Sequence, residues 1–137
     1  RRLRISSNEA RAHCTNNLHR LYLNPGLRPV APLLAASALN AVSMLSAELT
    51  GRIAAAGALK IEPGDCSRLS MIRPELLLES SGATHRARAV DLALREGRDE
   101  DAFALADAWA ARAAGWDARE LARVRLAQRA LRDARLR

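Results

Sequence analysis

The sequence predicts an α+β fold, mostly helical, with a few short strands around one long helix in the N-terminal half and a three-helix C-terminal part. Three observations lead there. Aromatic residues make up only 3% of the 137, so alanine and leucine must build most of the core, which favours close-packed helices over a β-sandwich. Beyond residue 84 every segment is helical in pattern and punctuated by cap residues. The first thirty residues and 58–73 carry short extended pieces divided by turn signals instead.

Taken in order, residues 2–6 and 17–23 lean towards β structure, and Asn24-Pro25-Gly26 is a turn. Residues 32–56 read as one helix. Pro32 suits its first turn, and Leu39, Val42, Leu45, Leu49 and Ile53 form a stripe at helical spacing, with Gly57 as the stop. Gly51 lies inside that pattern and weakens it by about 1 kcal/mol relative to alanine. Residues 58–61 and 69–72 return to extended pieces around Glu62-Pro63-Gly64-Asp65, and Arg73-Pro74 closes the section. Ser80-Ser81-Gly82 is a small polar linker, dividing a mixed segment, 1–79, from a helical tail, 80–137. In the tail Thr84 caps a helix that Gly97 ends, and Asp99 caps a second that Gly115 ends. Asp117 and Glu120 form a capping box for the last, which runs from Ala118 to about Leu136 with Leu121, Val124 and Leu131 as its stripe.

The charge balance narrows the class of partner. The chain has 22 basic and 15 acidic residues, net +7, which makes an anionic partner plausible. Lys60 is the single lysine; the rest are arginine. Residues 1–30 hold six arginines against Glu9 alone. No apolar run approaches the roughly 20 residues of a membrane span, and no secretory signal pattern is visible. Two cysteines are too few for a disulfide framework, so a reducing cytoplasm is expected.

No catalytic constellation is complete: GxGxxG, P-loop, GxSxG, HExxH and CxxC are all missing. His13, Cys14, His19 and Cys66 match no standard zinc spacing, so no metal site is expected. Two clusters carry binding chemistry. Thr15-Asn16-Asn17-Leu18-His19-Arg20 is dense in donors and acceptors; asparagine can bond adenine and arginine can bond guanine or phosphate. The same asparagines also suit a turn or strand end. In the second cluster, Glu48-Leu49-Thr50-Gly51-Arg52 and Gly57-Ala58-Leu59-Lys60-Ile61-Glu62-Pro63, Arg52 and Lys60 can hold phosphate or stay solvated.

The run Cys14-Thr15-Asn16-Asn17-Leu18-His19-Arg20-Leu21, then Ala38-Leu39-Asn40-Ala41, Ser46-Ala47-Glu48-Leu49-Thr50-Gly51-Arg52, and the Lys60 segment above resembles the C-terminal part of bacterial N6-adenine DNA methyltransferases of restriction–modification systems. The likeness covers roughly residues 1–74. It departs where that family has a glycine cluster and this chain has Ala54-Ala55-Ala56-Gly57, and where Ala41 replaces a serine. The resemblance implies a class I methyltransferase parent. Its upstream domain binds S-adenosylmethionine and acts on a flipped adenine through an Asn-Pro-Pro-Tyr-type loop. Neither that loop nor a glycine-rich cofactor turn occurs in these residues, so none is expected to be catalytic or cofactor-binding. The chain is then the DNA-contacting end, with Asn16, Asn17, His19, Arg20, Arg52 and Lys60 as candidate contacts. The expected partners are double-stranded DNA, the upstream catalytic domain, and a specificity or nuclease subunit. The competing reading is a helical scaffold that docks a partner subunit without touching DNA.

Overall fold

A computed structural model describes residues 3–6, 8, 12–15 and 18–137. Among these residues it is mostly helical, with seven α-helices and one two-stranded sheet, as the composition predicts. Extended residues lead into the expected turn, where Leu27 N donates to Asn24 O at 2.8 Å, and a 3-10 segment, Pro25–Val30, follows.

The long helix expected over residues 32–56 is two helices, α1 (Ala31–Ala38) and α2 (Ala41–Thr50), bent by 71° at Leu39 and Asn40. Asn40 makes the break. Its Oδ1 accepts from Val42 N and Ser43 N, its Nδ2 donates to Ser37 O at 2.6 Å, and it is fully buried. An asparagine there satisfies the first turn of α2 better than a continued helix would satisfy the asparagine. A second acceptor comes from far along the chain, as Asp107 Oδ1 takes the Ala41 N–H at 2.8 Å. Helix α2 then stops at Gly51, six residues before the expected stop at Gly57.

The strands are fewer than expected. No ladder forms in the described residues of 1–30 or in 69–72; only β1 (Arg52–Ile53) and β2 (Leu59–Lys60) pair, antiparallel. The described residues of the two N-terminal pieces, 3–6 and 18–23, have no partner strand, and β propensity alone does not make a ladder. Short helices α3 (Pro63–Cys66) and α4 (Pro74–Glu79) follow, each with proline in the first turn.

The tail folds much as its caps predict, into α5 (Ala83–Arg95), α6 (Asp99–Ala113) and α7 (Ala118–Arg135). Gly97 and Gly115 take left-handed φ of 73° and 71°. The next residue's N–H reaches back to Ala93 O and Ala111 O, closing both helices in the Schellman manner. Two starts differ by a residue or two. Left-handed Gly82 precedes α5 in place of a Thr84 cap, and Arg98 precedes α6, leaving Asp99, Glu100 and Asp101 together in its first turn. The Asp117–Glu120 capping box forms, both of its bonds 2.8 Å.

One hydrophobic cluster draws on α1, α2, α4, α5 and α6: Leu33, Leu39, Met44, Leu77, Val90 and Trp109 with alanines between them. Trp109, the largest buried side chain, donates from Nε1 to Ser80 Oγ at 2.6 Å. Helix α7 contributes no fully buried residue; it lies against α2, whose inward face is Ala41, Ser43, Ser46 and Ala47. Among the described residues no single helix is long and apolar enough to cross a membrane. The α1–α2 pair reaches that composition only across its 71° bend.

Candidate nucleic-acid interface

The two strands set Arg52 opposite Lys60 and Ile53 opposite Leu59. Directly paired residues project to the same face of a ribbon, so the two cations stand side by side, both exposed. The turn between the strands is tight. Ala54 N donates to Ala58 O at 2.8 Å, and Ala56 and Gly57 both sit at positive φ, 55° and 67°. Ala56 is strained there, by roughly 1–2 kcal/mol, at one of the small positions where the resembled family carries glycine. At the ribbon's base Gly51 gives room: a Cβ there would lie 2.7 Å from Ile61 Cδ1 and 2.8 Å from Leu59 Cδ1.

His19 joins the ribbon from across 42 residues. Its Nε2 lies 2.7 Å from Ile61 O; because a carbonyl only accepts, this nitrogen carries the proton. The bond lays the segment holding Arg20 beside the end of β2. The Arg20 and Arg52 side chains make no hydrogen bond or ion pair among the described residues. Lys60 pairs with Glu62 at 2.8 Å, with both side chains partly exposed. That contact holds the Glu62 carboxyl below its usual range, first through the Lys60 hydrogen bond, then the Lys60 charge, and more weakly the Arg52 charge. The structure therefore sets Arg52 beside Lys60, with Glu62 paired to the latter, and brings His19 and the adjoining Arg20 backbone to Ile61 at the end of the same strand. Asn16 and Asn17 lie outside the described residues.

What sequence reading missed is the support beneath this surface. Glu48, one turn before the ribbon, takes Arg135 in a two-pronged ion pair, Nε to Oε2 at 2.7 Å and Nη2 to Oε1 at 2.9 Å. The remaining prong, Nη1, donates to Gly57 O in the ribbon's turn. Both side chains are nearly sequestered, 9% and 7% exposed. The carboxylate's hydrogen bond raises the Arg135 pKa further above its already high ordinary value. Gly57 permits the approach, since a Cβ on it would sit 2.9 Å from Arg135 O. With 87 residues between them, Glu48 and Arg135 leave no local trace in the sequence. The Lys60–Glu62 pair was not anticipated either, although residues two apart in an extended segment share a side.

A separate open groove of about 560 Å³ runs between α5 and α6, with Ala89, Ala104, Leu105 and Ala108 lining it and His85, Arg86 and Arg112 among its polar residues. Arg98, also there, is held by Glu96 and Asp101 at 2.6 and 2.8 Å.

Comparison with known proteins gives one match. A sequence model described as Type II methyltransferase M.Eco57I, C-terminal domain, fits residues 1–110. No curated protein and no solved structure matched the chain. Since the matched span covers most of the chain, including the ribbon, Glu48 and the His19 segment, the chain belongs to the family of Type II methyltransferase C-terminal domains.

Proposed function

We propose that this chain is the DNA-contacting C-terminal segment of an adenine-specific DNA methyltransferase, gripping the duplex backbone with Arg20, Arg52 and Lys60 beside His19. The observation that carries the reading is the register of the ribbon. It places the two cations of the second cluster side by side, and the His19–Ile61 bond brings the first cluster to them. Adjacent cations suit successive phosphates, and an enzyme that flips a base needs a grip on the flanking backbone. On this reading S-adenosylmethionine and methyl transfer to adenine N6 belong to a catalytic domain upstream in the same cytoplasmic protein. The exposed side chains of Leu18, Leu21, Tyr22 and Ile53 suit contact with that domain.

The test is duplex binding as a function of salt. Each phosphate contact contributes about 0.9 to the slope of log affinity against log salt. Replacing Arg20, Arg52 and Lys60 with alanine should therefore flatten the slope by roughly 2–3. Equal slopes for the variant and the parent chain would remove these residues from the interface. In that event the α5–α6 groove, with its apolar lining and basic rim, favours the second reading, a docking site for a partner subunit.

A further inference from the structure

Helix α7 lies beyond residue 110, where the family match ends, and its arginines divide into two sets. Arg125 and Arg135 point inward, tied to Asp107 at 2.6 Å and to Glu48 at 2.7 Å. The side chains of Arg119, Arg123, Arg129 and Arg132, and of Arg137 just past the helix end, make no hydrogen bond or ion pair among the described residues, and all but Arg132 are exposed. The helix's own acids do little to answer them. Glu120 is committed to the capping box, which leaves Asp133.

Helical geometry places Arg119 and Arg123 within about 40° of one another, opposite the face that carries Arg135 and Gln128, with Arg129 at the flank; Arg137 follows two residues past the helix end. From Arg119 to Arg129 the ridge runs roughly 15 Å. Like charges one turn apart, such as Arg119 and Arg123, weaken an isolated helix, so in the free protein this spacing is unfavourable. A polyanion reverses that sign. Guanidinium forks bond phosphate oxygens two at a time. The ridge is also fastened to the first basic surface, since Arg135 in the last turn of α7 bonds the carbonyl of Gly57 in the ribbon's turn.

We infer that the outward arginines of α7 form a second phosphate-binding strip, which takes the DNA backbone alongside the segment held by the ribbon. The inference rests on the proposed DNA-contacting function for the identity of the ligand, but it concerns residues that the function does not use.

The experiment titrates the full chain against a fluorescein-labelled duplex of arbitrary sequence over a range of salt. Three variants are compared with the parent: Arg119→Ala/Arg123→Ala/Arg129→Ala, the same three positions changed to lysine, and Arg20→Ala/Arg52→Ala/Lys60→Ala. The α7 alanine variant should bind at least tenfold more weakly at low salt, with a slope shallower by roughly 2–3. The lysine variant should keep most of the slope, because a point charge still displaces counterions. Alanine is the stronger helix former, so far-UV circular dichroism should show α7 intact. An α7 alanine variant that binds like the parent, while the ribbon variant loses slope, overturns the strip and leaves the proposed function standing. Flattening by the α7 alanines alone supports the strip and removes Arg20, Arg52 and Lys60 from the interface. Equal losses with alanine and lysine overturn the strip, since packing and not charge would be at work. A parent chain that fails to bind duplex overturns both.

Discussion

Replacing Arg135 with alanine strips three hydrogen bonds from the junction of α2, α7 and the ribbon turn, and strands the Glu48 carboxylate in a site only 7% exposed. Removing one partner of a buried ion pair costs about 3–5 kcal/mol, mostly through the charge left behind. The junction lies in the last turn of α7, where a small movement readmits water, so the lower end applies, about 3 kcal/mol. That is about two decades in the folding equilibrium and, for a domain of this size, roughly 10 °C in Tm. Urea denaturation of the single variants Arg135→Met and Glu48→Gln and of their double variant measures the coupling. Each single change leaves an unanswered charge, and the double change leaves none, so the double variant should be less destabilised than the two losses summed, by about 2 kcal/mol. Single losses that add to within about 0.5 kcal/mol would refute the reasoning and reduce the pair to an ordinary surface contact.

Asp107→Ala should cost about 3 kcal/mol in the same assay, because the buried carboxylate serves both Ala41 N and Arg125; Asp107→Asn, which keeps an acceptor for Ala41 N, should cost less. Ala56→Gly should stabilise the chain by about 0.5 kcal/mol, relieving a positive φ at the expense of unfolded-state freedom. Gly57→Ala should destabilise it by more than Ala56→Gly gains, since the new Cβ meets both a positive φ and the backbone of Arg135. The Glu62 carboxyl should titrate by NMR below the usual glutamate range, and Lys60→Ala should return it there. A depressed carboxyl stabilises the folded state above its unfolded pKa, so this contribution should disappear only as the pH falls through the lowered folded value.

Signals that act within a few residues were legible. Gly97, Gly115 and the Asp117–Glu120 box place the ends of the last three helices to within a residue or two, because each cap closes on atoms of its own turn. Asn40 shows the limit. Its capping bonds are local, but the second acceptor at that helix start, Asp107, is 66 residues away, and the leucine stripe running through Asn40 disguised the break. The stripe also misled about burial. Leu49 and Ile53 are 68% and 67% exposed: α2 ends at Thr50, before Ile53, and the residues it buries are Ala41, Ser43, Met44, Ser46 and Ala47, off the leucine stripe. In the candidate interface, Arg52 and Lys60 were identified as residues, but their adjacency depends on a two-residue ladder too short to show period-two patterning.

The attachment of α7 has a consequence of its own. No residue of that helix is fully buried, and two arginine–carboxylate latches, one at mid-helix and one in the final turn, fix it in place. A helix with only half-buried apolar side chains such as Leu121 and Val124 should open at lower free energy than the Trp109 cluster, which hydrogen exchange of its amides would show. Such an opening would uncover the flank of α2 and slacken the Gly57 corner in one motion, since Arg135 bonds both Glu48 and the Gly57 carbonyl.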